Sequence, residues 1–507
     1  MARRQMRRLW FLTTIISALL PALGAWAARF DGKLTIEVAD ELTGVPIPVR
    51  MELLNSRGRP VHIRPEGAIS RDGYIVFDGQ VTLELKKGAY RFLIEAGPEY
   101  RTRSGHFTIE RHAEDVSEIT LRRHVDMKEK GWWAGDLDVR QRLEDLPLLM
   151  RAAGIDFAPV LVRENVQGKC LQAQKSPTQD LHPISLLDYR RGGGLLICEV
   201  EGNRLSEIEI CQSKAEESSI PMLEAAYEAG ADIVALSPFG WDLPIWIAAD
   251  KLTAIQIIHR QSQVNGPIAS EGWGRPRDKR LFPSKLGNGR YSETIYHHLL
   301  NSGQRIPPAA GSGSGANTNP LGASRVYVEC GDEYSAEDWV AGFRAGRVVV
   351  TNGPLLTTSV EGQSPGYVFH LDRGQSREFQ IALSLSFYEK APVEYLEIVK
   401  NGRVEYEVRL DELAKKKGQL PPLRFDDSGW FLVRAMTNNS QNYQFASTGP
   451  YYVEANYGRR ISRASVEYFL TWLDQAAVEF SENEAILSDI ETAKPFWNDL
   501  LDQANAD

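Results

Sequence analysis

Residues 131–141 read Gly-Trp-Trp-Ala-Gly-Asp-Leu-Asp-Val-Arg-Gln, a run in which charged residues follow a short apolar segment at regular spacing. Asp136, Asp138 and Arg140 are each two positions apart. Residues i and i+2 of an extended strand lie on the same face, so these three side chains are predicted to point the same way. Two carboxylates beside a guanidinium can form a closed ion-pair network or line a polar pocket, and the sequence leaves both interpretations open.

Around this run, from residue 126 to 355, helix-like and strand-like segments alternate. Four helix-like stretches each end in a glycine, and a strand follows three of them directly; the glycines are Gly154, Gly230, Gly303 and Gly346. Glycine after the last helical turn supplies the left-handed C′ conformation, and Ser335 with Asp338 is typical of a helix start. Helices that alternate with apolar strands predict a parallel α/β sheet or barrel.

Four stretches of this middle region resemble PHP (polymerase and histidinol phosphatase) metallohydrolases, and more closely their secreted CehA/McbA-like branch. Trp-x-Gly-Asp-Leu at 133–137 is similar to the opening motif, and residues 343–354 to the signature that ends the barrel. Residues 233–239 resemble a strand that ends in His-Pro, and 310–315 resemble a late Gly-Ser-Asp-x-His loop. The resemblance implies a distorted (β/α)7 barrel over residues 126–355.

The same resemblance implies which positions should bind metal. The His-x-His pair of the family corresponds to Asp138 and Arg140, the histidine of His-Pro to Ser237, and the late aspartate and histidine to Gly313 and Gly315. Only Asp138 can still coordinate a cation, because a guanidinium stays protonated and repels one. We therefore expect no metal cofactor, with Asp136 and Asp138 as weak candidates if a divalent cation binds after all.

Strand ends on one face of an α/β barrel gather its pocket, so we expect the ligand-binding residues there. His259 follows the apolar strand 254–258 and either lines the pocket or is a structural histidine. The loop at 271–278 is rich in Arg and Trp, which suits a sugar or carboxylate ligand or a surface clamp. The full set of pocket candidates is Asp136, Asp138, Arg140, Ser237, Trp241, Asp242, His259, Glu271, Arg275, Ser312 and Ser314.

Three functions remain open at this point. The first is a non-catalytic PHP-like protein that binds a polyol, glycan or other envelope ligand. The second is an active phosphoester or ester hydrolase with a carboxylate metal site rebuilt around Asp136, Asp138 and Glu271, using a hard cation such as Mg or Ca. The third is a purely structural role in an envelope assembly.

The flanking regions read as β-rich. Short alternating strands over 28–125 predict a β-sandwich, and a Thr-Gly-x-Pro-Ile-Pro run there resembles transthyretin-like, carboxypeptidase-regulatory modules. Residues 356–460 predict a second β-sandwich, in which Asn401-Gly402 marks a type I′ hairpin. Residues 461–507 predict two helices, the second starting at a capping box of Ser481 and Glu484.

The start of the chain predicts export. Residues 1–27 combine a basic stretch, an apolar stretch and an Ala-Trp-Ala cleavage site, which is typical of a secretory signal, with a retained anchor as the alternative. The protein is thus expected to be secreted or periplasmic, with no membrane span after cleavage. The net charge of −9 argues against nucleic acid as a partner. The four cysteines, Cys170, Cys198, Cys211 and Cys330, allow three complete disulfide pairings, and the sequence does not choose among them.

Overall fold

The computed structural model describes residues 30–71, 73–172, 183–199, 205, 208, 210, 214, 216–386 and 392–507. The predicted signal (1–27) and Cys211 lie outside these residues. Within them the chain is a mixed α/β protein built on several β-sheets. Cys198 and Cys330 are free thiols, whereas Cys170 takes part in a disulfide.

The N-terminal region consists of two sheets that share a core of their own. One sheet has the order β5-β1-β8, and the other has the order β3-β4-β2-β6-β7. Alternate residues of β1 point into this core, as the pattern of the sequence predicts. The strands are β1 (Gly32–Asp40), β2 (Pro48–Asn55), β3 (Ile69–Arg71), β4 (Tyr74–Asp78), β5 (Gln80–Leu85), β6 (Gly88–Glu95), β7 (Arg103–Ile109) and β8 (Glu114–Leu121).

The middle region contains a seven-stranded sheet with helices packed against it. Its elements are β9 (Trp132–Gly135), α1 (Leu146–Ala153), β10 (Val160–Val166), β11 (Lys169–Gln172), β12 (Ile184–Arg190), β13 (Gly193–Glu199), α2 (Ile220–Glu228), β14 (Asp232–Ala235), α3 (Leu243–Ala248), β15 (Ala254–Ile258), α4 (Gly287–Asn301) and β16 (Pro308–Ala310). A short 3-10 helix, Lys128–Lys130, precedes β9. The strand order is β11-β10-β12-β13-β14-β15-β16.

This sheet is mixed, so the prediction of a parallel sheet is corrected. Strands β10 and β12 are parallel, as are β14, β15 and β16, but β13 runs antiparallel to both β12 and β14. The cause is a tight hairpin between β12 and β13. Its two turn residues, Arg191 and Gly192, have φ values of 44° and 74°, and a two-residue turn of this kind can join only antiparallel strands.

Residues 135–140, which continue β9, connect the two sides of this sheet. Asp136 N donates to Phe157 O (2.9 Å), just before β10, whereas Leu137 N donates to Ala310 O (3.3 Å), at the end of β16. Further along, Arg140 N donates to the carbonyl oxygen of Ser314 (2.7 Å). The charged positions 136, 138 and 140 therefore lie where the two sides of the sheet approach each other.

The C-terminal region forms a nine-stranded sheet together with strands from the middle region. Its main path is β20-β28-β26-β27-β18-β17-β9; off this path β23 pairs with β26, and β24 pairs with β23. The elements are β17 (Arg325–Glu329), α5 (Ala336–Arg344), β18 (Val348–Thr351), β19 (Leu355–Val360), β20 (Val368–Leu371), β21 (Arg377–Phe379), β22 (Ile381–Ser386), β23 (Val393–Lys400), β24 (Arg403–Arg409), α6 (Leu410–Lys415), β25 (Leu423–Phe425), β26 (Gly429–Thr437), β27 (Phe445–Thr448) and β28 (Tyr451–Ala455).

The boundary predicted between residues 355 and 356 is not a structural boundary. Strand β18 pairs antiparallel with β17 on one side and with β27 on the other, and β19 begins at Leu355. The predicted last strand of the barrel thus belongs to the C-terminal sheet. The chain then ends in α7 (Arg463–Glu479) and α8 (Glu484–Asp502), as predicted. Among the described helices, none is long and apolar enough to cross a membrane.

Local signals were mostly correct. Gly154, Gly230, Gly303 and Gly346 all have φ between 63° and 85°, and Asn401 and Gly402 have φ values of 51° and 81°. Ser335 caps α5 by accepting from Asp338 N at 3.0 Å. The predicted cap of α8 was wrong: Asn483, not Ser481, accepts from Ile486 N at 3.2 Å.

Candidate functional site

Asp138 lies between two guanidinium groups. Its side chain is 3% exposed. Arg140 Nε is 3.6 Å from one carboxylate oxygen, and Arg260 Nε is 3.1 Å from the other. Arg140 reaches Asp138 from the same strand extension, two residues further on, whereas Arg260 comes from the loop that follows β15. The position that the family resemblance assigns to a metal ligand is therefore flanked by fixed positive charge.

A fourth charged group extends this arrangement. Arg140 Nη1 donates to Glu164 Oε2 on β10 at 2.7 Å, and both side chains are about 15% exposed. The order Glu164, Arg140, Asp138, Arg260 alternates in sign, so the formal charges cancel. Of the two interpretations left open by the sequence, the ion-pair network is the one that the structure contains.

Asp136 anchors the loop that crosses this network. Its carboxylate is completely buried and accepts from Ser312 N (2.9 Å), Ser312 Oγ (2.5 Å), Gly322 N (2.8 Å) and Asp138 N (3.2 Å). Burial raises the pKa of Asp136 to about 6, and these hydrogen bonds offset only part of that effect. Both oxygens are occupied by protein donors, so Asp136 serves to hold the backbone in place.

The glycines of the 311–315 loop are required by close packing. A Cβ on Gly313 would lie 2.6 Å from Arg260 Cβ, and one on Gly315 would lie 2.4 Å from the carbonyl oxygen of Arg140. Their φ values of 69° and 87° also favour glycine. Ser314 Oγ accepts from Gln141 Nε2 at 2.7 Å, which ties the loop to the end of the charged run. This backbone has no room for the aspartate and histidine that the family carries at these positions.

His259 and Ser237 lie beside the same network. His259 is fully buried, its Nε2 lies 3.0 Å from Ser292 Oγ, and burial together with the charge of Arg260 lowers its pKa to about 3. Ser237 lies close to the phenol of Tyr189, which donates to the carbonyl oxygen of Gly192 at 3.4 Å, and the guanidinium of Arg260 lies 5.3 Å from the centre of the Tyr189 ring. The histidine is therefore neutral at physiological pH, and Tyr189 connects Ser237 to the charged network.

Two of the predicted carboxylates form ion pairs separate from the network around Asp138. Asp242 forms a two-pronged ion pair with Arg191 and accepts from Ser219 Oγ at 3.2 Å. Glu271 is paired with Arg277, and both side chains are buried. Each carboxylate is thus neutralised by an arginine close to it.

Trp241 and Arg275 also lie away from Asp138, in a groove beside α7. Arg275 Nη1 donates to the hydroxyls of Tyr291 (3.0 Å) and Tyr468 (2.7 Å). Trp241 packs edge-on against Phe480 with ring centres 5.9 Å apart. The sequence left two roles open for the arginine-rich loop, a ligand site or a surface clamp. Arg275 acts as a clamp, because it holds the loop against α7.

The donor set around Asp138 does not suit a metal ion. Within the described residues, no three His, Cys, Asp or Glu side chains are grouped so that they could hold one. The carboxylate site considered around Asp136, Asp138 and Glu271 is not assembled there, since Asp136 and Glu271 are bonded to other groups. Zinc sites use three or four protein ligands, and here Asp138 has two cations as neighbours.

Sequence reasoning missed Glu164, Tyr189, Gln256 and Arg260. Arg260 directly follows the candidate His259 at a strand end, and this position was the one signal that could have found it. Gln256 lies inside β15 and is completely buried. A Cβ built on Gly311 would be 2.6 Å from Gln256 Nε2 and 2.7 Å from Asp138 Cβ, which places the amide next to Asp138.

Comparisons with known proteins add little. No family model and no curated protein matches the chain. Among solved structures, similarity was found to a pilus-presented adhesin (13% identity, 19% of this chain and 27% of that one, TM-score 0.14) and to phospholipase PlaB from Legionella pneumophila (17%, 19% and 26%, TM-score 0.14). A β-glucuronidase from Parabacteroides merdae is similar over 81% of this chain and 62% of that one, at 10% identity and a TM-score of 0.17. The chain spans about a quarter of the first two structures, and likeness at these TM-scores supports no inference about fold or function.

Proposed function

We propose that this protein is an exported, non-catalytic relative of PHP metallohydrolases that binds a polyol, a glycan or another small envelope ligand. The single observation behind this proposal is that Asp138 lies between Arg140 and Arg260. In a metal-dependent hydrolase of this kind the same space would hold cations. Here two guanidinium groups neutralise the remaining carboxylate instead.

Electrostatics supports the loss of metal binding. A guanidinium stays charged at any pH at which a protein is folded, and it has no lone pair to offer a metal. A divalent cation beside Asp138 would have to displace Arg140 and Arg260 or bind close to both of their charges. Either arrangement is electrostatically unfavourable at a buried site. We therefore propose no metal cofactor for this site.

Two features of the middle region support a PHP-like barrel. Residues 135–140 are hydrogen-bonded on one side to Phe157 and on the other to 310–314, the kind of bonding that would close a curved sheet into a ring. Two of the stretches that resemble family motifs, 133–137 and 310–315, are hydrogen-bonded to each other beside Asp138, and a third contributes Ser237 near Tyr189 and Arg260. A catalytically inactive descendant of such an enzyme would keep the arrangement of these segments and lose the metal ligands that they carried.

Metal analysis and hydrolase assays test this proposal together. The protein should be purified without chelators, and its Zn, Mn, Fe, Mg and Ca content measured. We expect much less than one equivalent of any metal, and no hydrolysis of p-nitrophenyl phosphate or p-nitrophenyl acetate that metal addition stimulates.

The contrary result has a defined form. One equivalent or more of bound metal, together with hydrolysis that is lost on chelation and in Asp138→Asn, would overturn the proposal. That outcome would favour the alternative, an active phosphoester or ester hydrolase with a rebuilt carboxylate metal site. Glu454→Gln is a suitable control, because it also neutralises a largely buried carboxylate paired with an arginine, Arg305, but lies on β28 in the C-terminal sheet.

A further inference from the structure

Buried polar atoms without a hydrogen-bond partner are concentrated around Asp138. Eight such side-chain atoms belong to five neighbouring residues there. Because native proteins pair nearly all of their buried polar groups, such a concentration calls for polar partners that the side chains around it do not supply, either water or a polar ligand. The eight atoms are Asp138 Oδ2, Arg140 Nε and Nη2, Gln256 Nε2 and Oε1, His259 Nδ1, and Arg260 Nε and Nη2. Three of them take part in the ion pairs described above, Asp138 Oδ2 with Arg260 Nε at 3.1 Å and Arg140 Nε with the other Asp138 oxygen at 3.6 Å, without forming hydrogen bonds. The remaining five, on Arg140, Gln256, His259 and Arg260, have no hydrogen-bond partner among the described residues.

The mixture of these atoms distinguishes between classes of ligand. The guanidinium groups of Arg140 and Arg260 can only donate hydrogen bonds, whereas Asp138 Oδ2 and Gln256 Oε1 can only accept them. An anion such as phosphate would satisfy the donors, but it would leave Gln256 Oε1 without a partner and would lie against the negative charge of Asp138. A hydroxyl group donates and accepts, so several hydroxyls on one molecule can satisfy both sets.

The charge balance favours the same class. Arg140 and Arg260 are already balanced by Asp138 and Glu164, so the network has no net formal charge. An anionic ligand would add an uncompensated charge to a site with little access to solvent, and such a charge is costly. A neutral, polyhydroxylated ligand avoids this cost.

An exposed aromatic ring lies at the edge of the network. Trp273 is 62% exposed, and its ring centre is 6.3 Å from that of Tyr189, against which Arg260 packs. Tryptophan is a large, mostly apolar side chain that proteins generally bury in large part. An indole beside hydrogen-bonding groups can stack on the C–H face of a sugar ring while those groups bind its hydroxyls.

Tight backbone packing holds Trp273 in position. A Cβ on Gly192 would lie 2.0 Å from the amide nitrogen of Gly274, and one on Gly274 would lie 2.6 Å from the carbonyl oxygen of Phe239. The loop that carries the indole is therefore packed directly on the β12–β13 hairpin, whose strand β12 ends next to Tyr189. An aromatic surface fixed before binding loses little entropy when a ligand stacks on it.

From these observations we propose that the ligand is a neutral carbohydrate with a pyranose ring, and that Trp273 determines this specificity by stacking on it. The proposal rests on the proposed function, because it concerns the same pocket. It adds a ligand class and a residue, Trp273 at the edge of the network, that the family resemblance does not assign.

Calorimetric titration against three groups of probes tests the proposal. The probes are neutral pyranosides (glucose, galactose, N-acetylglucosamine and their β-linked disaccharides), acidic compounds (glucuronate, glucose 6-phosphate, inorganic phosphate) and the acyclic polyol mannitol. We expect binding of one or more neutral pyranosides, at least tenfold weaker in Trp273→Ala. Trp273→Phe should retain affinity within about threefold, and Tyr457→Ala should not change it, because Tyr457 is 79% exposed in the C-terminal region.

The possible failures differ from one another. If pyranosides bind and the affinity falls in Asp138→Asn but not in Trp273→Ala, the stacking role is wrong and the proposed function stands. If only the acidic probes or only mannitol bind, the assignment of a neutral pyranose is wrong. If no probe binds, or if binding is unchanged in both Asp138→Asn and Arg260→Gln, the pocket itself is misassigned. Arg260→Gln provides a second pocket variant in case Asp138→Asn does not fold.

Discussion

Removing both guanidinium groups beside Asp138 is expected to destabilise the fold by more than the sum of the two single removals. In Arg140→Ala, Asp138 keeps Arg260 at 3.1 Å, and in Arg260→Ala it keeps Arg140 at 3.6 Å. Each single change should therefore cost about 1.5–3 kcal/mol, as expected for the loss of charged contacts. Arg140→Ala should cost more than Arg260→Ala, because it also removes the 2.7 Å contact with Glu164. The double change leaves a buried carboxylate with neither cation, which adds about 1–2 kcal/mol beyond the sum.

Urea unfolding of the wild type, both single variants and the double variant at pH 7 measures this coupling. Asp138→Asn added to the double variant should recover most of the excess, because it removes the unpaired charge. Additive effects of the two substitutions would contradict the reasoning. So would a triple variant that is no more stable than the double variant, since the cost would then come from lost packing.

Three further predictions concern the surroundings of this network. Because burial raises the pKa of Asp136 to about 6, the folded state binds a proton at this carboxylate more tightly than the unfolded state does. The free energy of unfolding should therefore fall by about 3 kcal/mol between about pH 4 and pH 7. Urea titrations should show this pH dependence in the wild type and not in Asp136→Asn. Gly315→Ala should lower the free energy of unfolding by at least about 2 kcal/mol in the same assay. Gly272→Ala is the control and should lower it by only about 1 kcal/mol, since its Cβ would meet nothing within 4 Å. Equal losses in the two variants would contradict the packing argument. Calorimetry of Asp138→His with Arg140→His should show no Zn or Mn binding tighter than about 10 μM, and tighter binding would mean that other residues supply ligands.

Features decided by one or two residues could be predicted from the sequence. Gly154 ends α1 because only a left-handed residue allows the chain to leave the helix there, and Asn401-Gly402 makes its hairpin for the same conformational reason. Asn483 shows the limit of such signals. It is as good a cap as Ser481, two residues earlier, and the choice between them depends on how α8 packs.

Partners brought together by folding could not be predicted. Glu164 and Arg260 are ordinary charged residues at distances of 24 and 120 positions from Arg140, and nothing in the neighbouring sequence marks them as its neighbours. The pairing of β18 with β27 is similar, because apolar strands of this kind fit many partners and their register is decided by the whole sheet. The run at 131–141 therefore indicated where charges meet, but not which charges.

The antiparallel pairing of Val349, Val350 and Thr351 with residues 446–448 has a consequence for how this protein can evolve. A gene fragment ending near residue 355 would encode a chain whose last strand keeps a bare edge of unpaired amides and carbonyls, an edge that promotes aggregation. The C-terminal part is thus not a module that recombination could exchange freely. The N-terminal sandwich, which encloses a core of its own, is the unit that could be gained, lost or swapped between otherwise similar proteins.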